Sequence, residues 1–293
     1  QQLNCDLGDS ARYPLKLEDW IVFDCNIHKA PMTIAWGKAK AGQMSTCLDL
    51  PFYGLADDGL YGPITWDDVW EPYAGVKMWI DPAGRGEDKT AYAIIAHLNG
   101  YLWVLALEGL DDGFDDQTLT TLAVAARRFN VREIFIESNF GQDMLQALFE
   151  PVLARHFVRP GESEDIPNGW AATIETIRST VQKEVRILDN LEPVMAQHRL
   201  VVDTTVATQS RLQNQISNIT RQKGCLGEIG DDEMEALAEC VGQWQYVLHQ
   251  DPVKIAQRKK DAWLDDEIRK FQNPYRDVRG ALAKRESRWF VHA

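Results

Sequence analysis

The sequence has no apolar run near the roughly 20 residues that a membrane-spanning helix requires, and no charged-then-apolar leader. The expectation is a protein that does not sit in a membrane. Paired cysteine spacing is missing as well: Cys5, Cys25, Cys47, Cys225 and Cys240 are scattered, which argues against a zinc ribbon or a disulfide framework. A reducing compartment, the cytoplasm, fits that usage. Positive charge is scarce, with 31 Lys and Arg against 44 Asp and Glu for a net charge of −13. Taken alone, that balance counts against a nucleic-acid partner, which normally shows as a basic surplus. Net charge is silent about local grouping, however, and a site that holds divalent cations concentrates carboxylates by itself. Local basic groups remain at Arg127-Arg128, Arg178/Lys183/Arg186, Arg221/Lys223 and Arg258-Lys259-Lys260. Each of these also fits an ordinary solvated face.

A phosphate-binding loop is missing too, although one stretch approaches it. In "DPAGRGEDKT", residues 81–90, Lys89 and Thr90 match the end of the pattern, but Asp88 stands where glycine is required. That carboxylate would face the phosphates. Such a loop must also open a helix whose N-terminus holds the anion. Here it leads into "TAYAIIAHLNGYLWVLALEG", two apolar β-rich runs joined by Asn99-Gly100, the strongest short hairpin signal. The residue left to explain is Asp81, at the end of its strand.

What is present is 293 residues, 45% hydrophobic, enough for one large or two modest domains. The chain begins at Gln1 rather than Met and reads as a piece of a longer protein. Residues 1–74 have little periodicity beyond a plausible strand at "DWIVFDCNI" and read as an arm or linker. From 75 to 250 the pattern sharpens: a strand "VKMWID", the hairpin, and a helix in "DDQTLTTLAVAARRFN" capped by Asp115 or Asp116. Next come a strand "VREIFIES" and a helix over 142–156. After a Gly/Pro/Glu-rich insertion at 159–169, a helix is expected at "AATIETIRSTVQKE", a short strand at "VRIL", and a helix at "NLEPVMAQHR". "LVVD" is a short apolar run, and 205–222 is polar and helical in character. "DDEMEALAECVGQWQYVLHQ" places Ala236, Leu237, Cys240, Val241, Trp244 and Leu248 on one helical stripe. Residues 251–293 form a charged tail.

Three acidic positions share a placement. Asp81 follows "MWI", Glu137 follows "IFI", and Asp231-Asp232 open the late helix. Strand ends and helix starts are where a sheet-based domain builds its sites, since the scaffold is rigid there and open to solvent. Capping and turn formation explain any one of these acids alone. Carboxylates converging from separate elements also suit two Mg²⁺ or Mn²⁺ ions in phosphodiester hydrolysis. Strand, hairpin, helix, acidic strand and late acidic helix is the order of the ribonuclease H-like fold, an α/β mixed sheet flanked by helices.

The stretches "DPAGRGEDKTAYAI", "LNGYLWVLALEGLDDGFDDQTLTTLA", "IFIESNFGQDM", "RILDNLEPVMAQHRLVV" and "ITRQKGCLGEIGDDEMEAL" resemble the C-terminal nuclease domain of the large terminase subunit of short-tailed double-stranded DNA bacteriophages, also called DNA maturase B. The resemblance covers roughly residues 70–250 and is colinear; "RYPLKLEDWIVFD" and "KAPM" resemble the segment that joins motor to nuclease in that family. It implies an endonuclease that cuts concatemeric viral DNA during packaging, in the host cytoplasm. Carried over by position, Asp81 and Glu137 become catalytic metal ligands, Asp232 the principal third one and Asp231 its assistant. Arg85 and Lys89, in a flap beside Asp81, and more weakly Lys183 and Arg186, would contact the DNA backbone. The implied partners are double-stranded DNA, the portal protein of the procapsid and the small terminase subunit. The sequence departs from the family at Gly230, where His or Asn is usual, and at Glu233-Met234-Glu235, where Arg-Leu-Asp is common. It also has no Walker motifs, so it matches the cutting half and not the pumping half. Two alternatives stay open: another ribonuclease H-like polynucleotidyl transferase, and a non-catalytic DNA- or portal-docking module.

Overall fold

A computed structural model describes residues 12–37, 49–82, 89–111, 113, 115–138 and 143–272. Its strands are β1 (Ile21–Phe23), β2 (Lys29–Pro31), β3 (Ile34–Ala35), β4 (Thr65–Trp66), β5 (Trp70–Pro72), β6 (Gly75–Asp81), β7 (Thr90–Leu98), β8 (Tyr101–Leu110), β9 (Glu133–Glu137), β10 (Thr173–Ile177) and β11 (Leu200–Asp203). Its α-helices are α1 (Asp116–Arg128), α2 (Asp143–Ala154), α3 (Lys183–Ala196), α4 (Thr204–Ala207), α5 (Ser210–Asn218), α6 (Asp232–Gly242) and α7 (Pro252–Gln272). The chain divides into two compact units, Gln1–Gln250 and Asp251–Ala293.

Seven strands make one sheet in the order β1-β11-β8-β7-β6-β9-β10. The nucleus is the hairpin: Leu98 faces Tyr101 across Asn99 (φ 53°) and Gly100 (φ 85°), both left-handed as a two-residue turn of this kind requires. β6 adds antiparallel to β7, then β9 and β10 add parallel to β6, and β11 and β1 extend the β8 side in parallel. Only β7 runs against the rest. Alternation along β6 sends Trp79 to one face and Met78 and Ile80 to the other. The Trp79 face packs on α3 and α6 through Ile187, Leu191, Ala236, Leu237 and Val241. The Met78 face packs on α1 and α2 through Leu122, Ala126, Leu145 and Phe149. The result is the mixed sheet flanked by helices expected of a ribonuclease H-like fold. Among the described residues, no helix is long and apolar enough to cross a membrane.

Several elements differ from the sequence reading. The segment before residue 74 is not wholly an arm, because β1 pairs with β11 in the main sheet and Trp20 and Ile21 are fully buried. "TIETI" is β10 rather than helix; its alternating β-branched residues suit an edge strand, and it pairs in register along the whole of β9. "VRIL" lies inside α3, where Ile187, Leu188, Leu191, Val194 and Met195 form one buried helical stripe that a four-residue window hides. The polar segment after 204 breaks into α4 and α5, and the late helix ends at Gly242 in place of residue 250. Asp115 is the cap of α1, accepting from the Thr118 amide. In the second unit, α7 buries none of its residues.

Candidate metal centre

β6 and β9 are neighbouring parallel strands, paired Trp79 with Phe135 and Ile80 with Ile136. The next residue on each is an acid. Asp81 and Glu137 therefore end side by side at the carboxyl edge of the sheet, where parallel strands build their sites. Both share the parity of Trp79 and Phe135, so both face the α3 and α6 side. There α6 crosses above and contributes Glu235. Carboxylate oxygens of Asp81, Glu137 and Glu235 all lie within 4.8 Å of one another. Glu137 is 3% and Glu235 2% exposed, while Asp81 is half-buried at the mouth.

Two basic residues of α3 sit among these acids. Lys183 Nζ lies 3.0 Å from Asp231 Oδ1 and 2.5 Å from Glu235 Oε2. Arg186 lies 3.4 Å from Glu137 Oε1 and also pairs with Glu235 and Glu239. Five carboxylates thus meet two cations. Burial, followed by the charges of Glu235 and Glu137, holds the Asp81 carboxyl well above the ordinary aspartate value. Burial likewise raises Glu235 even though Lys183 draws it down. Glu239 is pushed to about 7 by burial, against the pull of Arg186. Burial works against the Lys183 ammonium, but Glu235 and Asp231 outweigh it and raise its pKa. Repelling hard oxygen donors on rigid elements are a fitting cage for a divalent cation of the Mg²⁺ or Mn²⁺ type.

The structure brings together two of the expected ligands, Asp81 and Glu137, and groups Glu235 with them where Asp232 was expected. Asp232 does not join the group. It is the first residue of α6 and turns to the other side of the helix, where its Oδ2 lies 2.9 Å from Arg211 Nη2. Asp231 reaches the group only through Lys183. Glu235 faces the two strand-end acids because it lies four residues after Asp231 and four before Glu239, one stripe facing α3. Lys183 and Arg186, expected on DNA, are engaged with carboxylates, Arg186 largely buried and Lys183 at the solvent-facing rim. Lys89 stands at the start of β7 near Asp81 and pairs with Asp111 at 2.6 Å. Arg85 and the rest of the expected flap, residues 83–88, lie outside the described residues, as do 139–142 of "ESNFG".

Residues 80–200 match the family described as Terminase Bacteriophage T7, Ribonuclease H-like domain, a span that includes Asp81 and all of β9 and stops short of α6. The chain is 32% identical over 281 residues to the large terminase subunit of Enterobacteria phage T3, covering 91% of this chain and 45% of that protein. The chain therefore spans under half the length of the relative it matches. Among solved structures, the nuclease domain of the large terminase subunit gp2 of bacterial virus Sf6 gives a TM-score of 0.43 at 11% identity, over 58% of this chain and 88% of that one. The large terminase nuclease from thermophilic phage G20c gives 0.40 at 13%, over 72% and 94%. Over residues 80–200, this chain is thus similar to the ribonuclease H-like domain of T7-type terminases.

Proposed function

We propose that this chain is a metal-dependent DNA endonuclease that cuts concatemeric viral genomes during packaging, with Asp81, Glu137 and Glu235 as its metal ligands. The observation that carries this reading is the convergence of those three acids from two adjacent strand ends and a helix. A divalent ion bound there, or a pair of ions, supplies Lewis-acid polarisation of a phosphodiester and a nucleophile from water at neutral pH. The protein's own part is to place and tune the ligands. β6 and β9 fix the spacing of Asp81 and Glu137 by register, while Arg186 bridges Glu137 to Glu235 and fixes the helix against the strands. Lys183 holds Glu235 from the outer side. Asp81, the least buried of the three, faces the side from which a phosphate arrives, and Lys89, paired to an exposed Asp111, is placed to exchange that partner for the DNA backbone.

Double-stranded DNA is the substrate in this reading; the portal protein and the small terminase subunit are its partners in the host cytoplasm. The test is conversion of supercoiled plasmid in EDTA, Mg²⁺ and Mn²⁺. Cleavage that needs metal and is lost in both Asp81→Asn and Glu235→Gln, but kept in Asp232→Asn, is the expected result. Loss in Asp232→Asn with retention in Glu235→Gln would return the third ligand to Asp232.

A further inference from the structure

At the other end of β6 lies a cavity of about 1020 Å³ whose character is opposite to that of the metal centre. Gly75 lines it and Asp81 ends the same strand, so the two sites are about 20 Å apart along β6. They also lie on different faces: Val76 and Phe129, which line the cavity, pack with α1 and α2, whereas Asp81 faces α3 and α6. His28, Lys29, Arg127, Arg128, Arg132 and His156 line the walls, against a single carboxylate, Asp165. In a chain of net charge −13, that is a local reversal.

Arg127 and Arg128 fall in the last turn of α1, where they complement the helix dipole. That local role does not account for Lys29 on β2 or Arg132 ahead of β9, which converge from elsewhere. Arg132 braces the wall by donating to the carbonyls of Ala171 and Gly169, at 3.4 and 3.3 Å. Among the described residues, no carboxylate pairs with Lys29, Arg127 or Arg128. The floor between these cations is apolar, formed by Ile27, Tyr73, Val76, Phe129 and Ile166. A DNA duplex offers phosphates but nothing to lay on an apolar floor, and a duplex held at Asp81 meets the opposite end and face of the sheet.

We infer that this cleft docks a peptide segment of a partner protein in which acidic side chains alternate with apolar ones. The apolar side chains cover the Tyr73 and Phe129 floor, and the carboxylates meet Arg127, Arg128 and Lys29 at the rim. The partner is recruited there without obstructing the metal centre.

The experiment titrates the full chain into fluorescein-labelled peptide pools with Asp or Glu at alternate positions and Leu, Ile, Phe or Tyr between, read by anisotropy. Matching Lys/Leu pools and a labelled DNA duplex are run in parallel. The expected result is saturable binding of the acidic pool and not of the Lys/Leu pool, weakened by roughly tenfold or more in Arg127→Glu/Arg128→Glu and by added salt, while duplex binding is unchanged in that variant. Plasmid cleavage stays at the parental level in that variant, and melting temperature falls by no more than a few degrees, the cost of the lost helix-end charges. A second variant, Lys29→Glu, is expected to weaken the same binding and guards against a local effect on α1. No saturable binding of the acidic pool, or binding indifferent to both variants, overturns the proposal. Duplex binding that depends on Arg127 and Arg128 overturns it too, and assigns the cleft to nucleic acid.

Discussion

The two sides of α6 carry acids in nearly equal number and treat them differently. On the α3 side, Asp231, Glu235 and Glu239 join Asp81 and Glu137 around Lys183 and Arg186, leaving negative charge in excess. On the α5 side, Asp232 and Glu233 share Arg211, at 2.9 and 3.1 Å. Gln215 completes that second group, its Nε2 donating to Glu233 Oε2 and its Oε1 accepting from the Met234 amide. The second group has one carboxylate in excess and a partner for each acid; the first has three in excess, a deficit that an external cation can fill. Acidity alone does not mark a metal site. The mark is a set of buried carboxylates that the protein has gathered without neutralising.

The largest contrast is in cleavage. Removing Glu137 or Glu235 as Gln should cost about 4 kcal/mol of transition-state stabilisation, a rate loss near 10³-fold. Asp232→Asn should stay within about tenfold of the parent, since it keeps a hydrogen-bonding partner for Arg211. Plasmid conversion under identical metal concentrations measures both, and equal losses would erase the distinction between the two sides.

Stability should show the reverse order. Arg211→Met leaves Glu233 buried beside an uncompensated charge and should cost about 2–3 kcal/mol, allowing for the partial exposure of the arginine. That corresponds to a fall of roughly 6 °C in melting temperature for a domain of this size. Differential scanning calorimetry with and without Mn²⁺ makes the comparison sharper, because the metal should stabilise parent and variant alike.

A third difference lies in pH. Asp81, Glu235 and Glu239 have folded-state pKa values raised above their ordinary ones. Their protonated forms therefore favour the folded state, and this stabilisation is complete below the usual carboxylate range and lost as pH rises through the folded values. Glu239, raised from 4.5 to about 7, sets the upper end of the window. Without metal, stability should decline between about pH 5 and 7 by about 2 kcal/mol and level off above that. Saturating Mn²⁺ should offset that decline, so the melting shift on adding metal grows with pH. A shift independent of pH would mean that the carboxylates are already ionised and relieved in the metal-free protein.

Two of the three acids of the candidate metal centre were legible in the sequence because their logic is local. An acid directly after an apolar strand marks the carboxyl edge of a sheet, and Asp81 and Glu137 announced themselves that way, as did the hairpin through Asn99-Gly100. Glu235 did not, because a helix spreads its candidates around its axis and only the partner helix decides which side faces inward. The signal was nonetheless present. Asp231, Glu235 and Glu239 recur at four-residue spacing beside the apolar stripe of Ala236, Leu237 and Cys240, and that placement is where a buried acid must stand. β10 and α3 were misassigned for a related reason: "TIETI" and "VRIL" are short enough to fit either period, and pairing with β9 or packing on α6 settles which one wins. The basic cleft was visible only as the pair Arg127-Arg128. Lys29 and Arg132 join it from distant positions, and no spacing encodes their meeting.

The smallest effect is expected at the hinge between the two clusters. Gly230 precedes Asp231 with φ 71° and ψ 176°, a region that a side chain rarely adopts, and a Cβ there would come 2.6 Å from Arg211 Nη2. Glycine at this position lets the chain turn sharply enough for Asp231 to face Lys183 while Asp232 faces Arg211. Gly230→Ala should cost about 1 kcal/mol, since the arginine end can yield while the backbone strain remains. Cleavage should change by less than about twofold, because Lys183 and Arg186 hold Glu235 independently of the turn. If cleavage falls much further than stability does, the turn also positions Asp231 for the metal, and the two sides of α6 are less separable than their ion pairs suggest.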